Sequence, residues 1–152
     1  MSNIVELKPY EREVYYYETD RMNIVHHSNY IKWLEEARND FMKQIGYPFA
    51  KIEAQNLMVP VLNVSCEYEK PLRFGDTYQI KLIPTVFNGI RFEMDYEIYN
   101  KENGERYATA HSGHCFVDLN MMPVILKHEH ADIYEAFLPY FPEKKRKRKV
   151  EE

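Results

Sequence analysis

Asp20 and His27, seven positions apart, are the residues of this chain best placed to do chemistry. A carboxylate is anionic at neutral pH and can take a proton from water or attack a carbonyl carbon. An imidazole beside it can hydrogen-bond or orient the reacting group. The two residues sit in a short loop, and an amphipathic stretch begins directly after it. A helix start offers backbone N–H groups without helical partners and the positive end of the helix dipole, which together can hold negative charge on a carbonyl oxygen. Taken singly, Asp20 reads more readily as a turn or cap residue and His27 as a structural loop residue.

The elements that must position this pair can be read from periodicity. Tyr30, Trp33, Leu34, Ala37, Phe41 and Ile45 recur at three- and four-residue spacing opposite Lys32, Glu36, Asn39, Asp40 and Lys43. This predicts a helix from about Asn29 to Ile45, with Ser28 or Asn29 capping its start and Gly46 ending it. Upstream, the β-prone run from about Glu11 to Glu18 predicts a first strand, with Asp20 at its end. Downstream, Leu62, Val64, Cys66 and Tyr68 alternate with polar residues as a half-buried strand, and a second such run begins at Tyr78. Asn88 and Gly89 mark a hairpin, Ile90–Tyr99 alternate again, and Asn103 and Gly104 make another turn. The last strand, about Arg106 to Asp118, carries Ala108, Ala110 and Gly113, small residues that leave room for a helix. One long helix followed by consecutive antiparallel strands is an α+β pattern in which a sheet can curve around the helix.

Composition narrows the function classes. A length of 152 residues suits one domain, here residues 1–142, followed by a basic tail at 143–152. No apolar run approaches the roughly 20 residues that span a bilayer, and the charged opening residues lack a secretory pattern, so a soluble cytoplasmic protein is expected. Cys66 and Cys115 fall in strand-like runs and read as buried thiols. The net charge is −4, but the tail EKKRKRKVEE carries +3, leaving −7 for residues 1–142. So acidic a body argues against nucleic acid as partner. The tail itself could be a solubilising end, a contact for phosphates or an anionic membrane, or an import-like signal.

The pattern Y-x-E-T-D-x-M-x-I-V-H-H-S-N-Y-I-x-W-L-E-E-A-R, with K-P-L-R-F-G-D at Lys70–Asp76, resembles the hotdog-fold acyl-CoA thioesterases of the 4-hydroxybenzoyl-CoA thioesterase type. The similarity covers roughly Glu11 to Leu119. It implies an antiparallel sheet of about five strands wrapped around one long helix, and cleavage of an acyl thioester to a free acid and a thiol. By this resemblance Asp20 is the nucleophile or general base, and His27 occupies a His or Tyr position that helps to hold the carbonyl. Asn29 and Tyr30 complete the matched stretch, and Asn23 stands where relatives commonly carry Gly. Asn is among the few other residues that tolerate the left-handed conformation, while its side chain could narrow the site. Lys70 and Arg73 are candidates for the phosphates of coenzyme A. The resemblance also implies a homodimer or homotetramer with sites between subunits.

Three competing assignments are weaker. Glu35 could serve as a helix-borne carboxylate, but it precedes Arg38 by three residues, where an ion pair accounts for it. Paired histidines occur at His26 and His27, at His128 and His130, and at His111 and His114. None matches a metal-binding pattern, so no metal and no cofactor is expected. A hotdog module that binds acyl thioesters without cleaving them, or a dehydratase on the same fold, would look similar in sequence. The thioester could be carried by coenzyme A or by a carrier protein.

Overall fold

A computed structural model describes residues 4–143. Its central element is α1 (Ser28–Gln44), whose Tyr30, Trp33, Leu34, Ala37, Phe41 and Met42 are buried on one stripe. The helix is stopped by Gly46, at φ +91°. Gly46 N–H donates to the Lys43 carbonyl and Tyr47 N–H to the Met42 carbonyl, the paired bonds that satisfy a helix C-terminus.

Around α1 curves one antiparallel sheet of β1 (Tyr10–Glu13), β2 (Val61–Tyr68), β3 (Thr77–Phe87), β4 (Arg91–Asn100) and β5 (Arg106–Cys115), in the order β1-β3-β4-β5-β2. Strand β4 shows why the sheet packs this way. Phe92, Met94, Tyr96 and Ile98 face inward and are buried, whereas Glu93, Asp95, Glu97 and Tyr99 face out. Each large apolar side chain so buried contributes about 1.5–3 kcal/mol, offset by the entropy of ordering it. Trp33 stacks on Tyr78 of β3 with ring centroids 4.1 Å apart, and this contact seats the helix on the sheet.

The structure corrects several expectations. The first strand ends at Glu13, because Val14 turns into the core and Tyr16–Glu18 form a single 3-10 turn. Strand β2 is not half-buried: all its residues except Cys66 are exposed, since β2 is an edge of the sheet. Gly113 is explained by the neighbouring strand and not by α1, because a Cβ there would lie 2.8 Å from the Asn63 side chain. The short helices α2 (Phe49–Glu53), α3 (Leu126–Glu129) and α4 (Ala131–Phe137) were not anticipated. Phe137 of α4 closes one end of the core against Phe41, Phe87, Phe92 and Phe116. Residues 144–152, which hold the basic run of the tail, lie outside the described residues.

Candidate active site

The loop between the 3-10 turn and α1 is held by Asp20 itself. Asp20 Oδ1 accepts the N–H groups of Met22 (2.8 Å) and Ile24 (3.4 Å), and Asp20 N–H donates to the Ile24 carbonyl at 2.8 Å. Asn23 adopts φ +63° at the apex, the left-handed conformation its side chain tolerates, and its N–H donates to the Asp20 carbonyl. Oδ1 therefore does the work of a turn residue, while Oδ2 has no hydrogen-bond partner among the described residues. Half-buried Asp20 lines a cleft of about 390 Å³ with Met22, Ile24, Val25, His27, Tyr30, Tyr68, Glu69, Lys70 and Pro71.

The helix start differs from the expected picture. The N–H groups of Ser28, Asn29 and Tyr30 are already engaged, by His26 Nδ1 (3.2 Å), the His26 carbonyl (3.0 Å) and the His27 carbonyl (3.2 Å). Neither Ser28 nor Asn29 is the cap; that position belongs to His27. The His27 N–H has no acceptor among the described residues, so this amide is the donor the helix start offers to a ligand. The exposed His27 ring stacks on His26 at 4.3 Å, and the Tyr68 hydroxyl donates to the His27 carbonyl at 3.3 Å.

The other candidates separate by position. Tyr30, 2% exposed, forms the cleft wall edge-on to Tyr68, and burial raises its hydroxyl well above the ordinary tyrosine value. Burial likewise pushes Tyr68 up to about 12, so both phenols stay protonated donors. Asn29 is structural: its Nδ2 donates to the Glu18 carbonyl (2.9 Å) and the His26 carbonyl (3.4 Å). Asn23 and Arg73 are exposed and do not line the cleft. Lys70 does line it, with its Nζ paired to Glu105 at 2.5 Å. Glu35 makes no ion pair with Arg38, whose Nη1 donates instead to the Tyr96 hydroxyl at 3.1 Å.

Sequence reasoning missed Glu18, which is 4% exposed. Its carboxylate accepts from Arg12 Nη2 (2.6 Å), Trp33 Nε1 (2.9 Å) and Tyr15 N–H (2.9 Å), and its carbonyl accepts from His26 N–H at 2.8 Å. Burial alone would raise the Glu18 carboxyl, but the Arg12, Trp33 and Tyr15 donors outweigh it and hold the group below the usual carboxylate range. This one residue ties β1, the Asp20 loop and α1 together, two positions before Asp20. The available signal was a buried Trp, whose indole N–H needs an acceptor.

A cavity of about 370 Å³ at the opposite sheet edge, beneath Leu7–Tyr10, is less suited to chemistry. Its acid Asp40 already accepts from Gln44 at 2.8 Å. Among the described residues no three His, Cys, Asp or Glu side chains converge as a metal site, and no helix is long and apolar enough to cross a membrane.

A free carboxylate oxygen in one cleft with an open helix-start amide is equipment suited to acyl transfer. The profile of the thioesterase-like superfamily matches residues 14–138. The chain belongs to that superfamily. It is 34% identical over 128 residues to YneP of Bacillus subtilis, provisionally named an acyl-CoA thioesterase, covering 84% of this chain and 92% of that one. It is 30% identical over 118 residues to the 1,4-dihydroxy-2-naphthoyl-CoA hydrolase of Thermosynechococcus vestitus, covering 77% and 80% respectively. The crystal structure of a DHNA-CoA thioesterase from Staphylococcus aureus superposes with a TM-score of 0.81 at 29% identity, covering 85% of this chain and 87% of that one. The fold is the hotdog fold of these thioesterases, and the chain is a thioester-hydrolysing enzyme.

Proposed function

We propose that the enzyme hydrolyses an acyl-CoA thioester to the free acid and coenzyme A at the Asp20 cleft. Asp20 Oδ2 either draws a proton from water or attacks the carbonyl carbon to give a mixed anhydride that water then opens. The thioester oxygen takes the His27 N–H, where the α1 dipole favours the developing negative charge. In this reading the His27, Tyr30 and Tyr68 rings border the acyl group, and Lys70 of the cleft, with Arg73, whose backbone bridges to the cleft residue Ile24, would meet the coenzyme A phosphates. The observation that carries this reading is that an unpartnered carboxylate oxygen and an unpartnered helix-start amide belong to residues of one cleft.

The working form in this proposal is a dimer joined through β2. That edge strand contains neither Lys nor Pro, the residues that usually blunt an edge, and leaves Val61, Leu62, Val64 and Tyr68 at 51%, 44%, 38% and 48% exposure. Antiparallel pairing of β2 with β2 of a second copy satisfies the open backbone groups and covers this apolar strip.

Asp20→Asn keeps the size of the side chain and the acceptor oxygen of the loop while removing the charge. Acyl-CoA turnover is expected to fall by about 100-fold or more, with the melting temperature little changed. Wild-type turnover in that variant would remove Asp20 from the reaction. Single turnover in labelled water separates the two routes: label appearing first in the Asp20 carboxylate marks the anhydride.

A further inference from the structure

Strand β1 covers only part of the β3 edge, and the cavity of about 370 Å³ lies where its next rung belongs. Val14 N–H donates to the Asp76 carbonyl and Lys101 N–H to the Thr77 carbonyl, both at 2.8 Å. Along this stretch, therefore, even-numbered residues turn their N–H and C=O groups toward β1 and odd-numbered ones toward β4. The register pairs Tyr10 with Ile80, so Leu82 faces the place that Lys8 would fill in a longer strand. Lys8 is drawn elsewhere. Pro9 has no N–H to extend the ladder, and the Gln44 side chain takes both backbone groups of Lys8, accepting its N–H at 2.8 Å and donating to its carbonyl at 3.0 Å. The N–H and C=O of Leu82 are left without partners among the described residues, facing the cavity that Leu82 lines.

The surroundings of this empty rung specify what fits it. Cross-strand neighbours share a face, so a residue opposite Leu82 points its side chain toward the core, as Ile80 and Leu82 do. There Ala37 and Phe41 of α1, each 2% exposed, give it an apolar floor. Toward Tyr10 the slot is closed by Pro9, so a chain entering it must end opposite Leu82. Lys8 and Lys81, both exposed at the rim, pair with no acid among the described residues, whereas Lys70 and Lys101 are paired. The acid of the cavity, Asp40, has its Oδ2 engaged by the Gln44 amide at 2.8 Å. Two free ammonium groups beside the closed end favour a chain that ends in a carboxylate over one that ends in an amine. Running antiparallel to β3, such a chain brings its last N–H to the Leu82 carbonyl and its terminal carboxylate to the Leu82 N–H.

We propose that this slot is a binding site for an N-acylated apolar α-amino acid with a free carboxylate, met either as a small molecule or as the last residue of a peptide. Each part of that ligand has a counterpart. The acylamino N–H meets the Leu82 carbonyl, the side chain meets Ala37 and Phe41, and the carboxylate meets the Leu82 N–H with Lys8 and Lys81. The cavity volume falls within the roughly 300–1,000 Å³ of small-molecule sites. The site does not depend on the thioesterase reading. It sits on the sheet edge opposite to β2, and Phe41 lies roughly 16 Å further along α1 than Tyr30 of the Asp20 cleft.

The test is titration of the ¹⁵N-labelled wild-type protein with N-acetyl-L-leucine, followed by amide shifts and by calorimetry. A dissociation constant below about 1 mM is expected, with the Leu82 amide proton moved downfield and the Asp20 loop unmoved. Three relatives each remove one contact. N-acetyl-L-leucinamide lacks the carboxylate, 4-methylpentanoate lacks the acylamino group, and N-acetyl-D-leucine cannot turn its side chain to α1 while keeping both backbone bonds. Each is expected to bind about tenfold more weakly. Lys81→Ala is expected to weaken N-acetyl-L-leucine about fivefold while leaving the leucinamide affinity and acyl-CoA turnover unchanged, a split that general loosening of the fold would not produce.

Equal affinity for the acid and its amide, no binding at about 10 mM, or shifts centred on the Asp20 loop overturns the proposal, and none of these results bears on thioester hydrolysis. Acetyl-Ala-Ala-Leu separates the two sources. Affinity at or above that of N-acetyl-L-leucine supports a peptide end as the ligand, and a loss of about tenfold supports a free N-acyl amino acid.

Discussion

His114 shows how much one buried side chain can impose. Its depressed pKa means that, between about 3 and the ordinary 6.5, the unfolded chain binds a proton there that the folded chain refuses. Unfolding is therefore favoured as the pH falls through that window. Urea titrations at pH 7 and pH 5 are expected to differ by about 2 kcal/mol from this residue, and His114→Gln, which does not titrate, should remove that share of the difference. The same pH slope in the variant would show that His114 is not held neutral. The sequence revealed part of this: the three-residue spacing of His111 and His114 on a strand requires opposite faces, and His111 indeed faces outward to Asp95 and Glu93. It could not reveal the hydrogen bonds from His114 to Ser112, from Ser112 to Tyr96 and from Arg38 to Tyr96, because these residues come together only once α1, β4 and β5 are packed.

At the scale of elements, the 3-10 turn and α1 behave as one piece because Glu18 clamps both. Glu18→Gln leaves the largely buried Arg12 with only the more exposed Glu36 carboxylate, 3.2 Å from its Nε, and is expected to cost about 2 kcal/mol in denaturant unfolding and to lower kcat along with stability. A variant of unchanged stability would mean that the Arg12 bond contributes little. The turn was illegible in the sequence because Tyr15–Glu18 has strand propensity, and propensity yields to a carboxylate drawn inward by Arg12 and Trp33. Helix α1, by contrast, was legible to within about a residue at each end, since its Trp33, Leu34, Ala37 and Phe41 stripe matches the helical period and Gly46 is needed for the left-handed residue that ends it. Strand β2 was found but its surroundings were not, because alternation reads the same whether the apolar face meets its own core or another chain. The short C-terminal helices carry too few turns for a period to stand out.

For the whole molecule, the open β2 edge is the decisive surface. Val64→Lys places a charge in the centre of the apolar strip, and is expected to convert a dimer to a monomer in light scattering while sparing the circular dichroism spectrum. Loss of turnover should accompany it. A wild-type chain that is already monomeric and fully active would discard the paired architecture. If the dimer paired through β2 is the working form, the protein's output is tied to its own abundance. Below the concentration at which copies find each other, every molecule stays folded and none works, so turnover climbs more steeply than protein level until the population is paired.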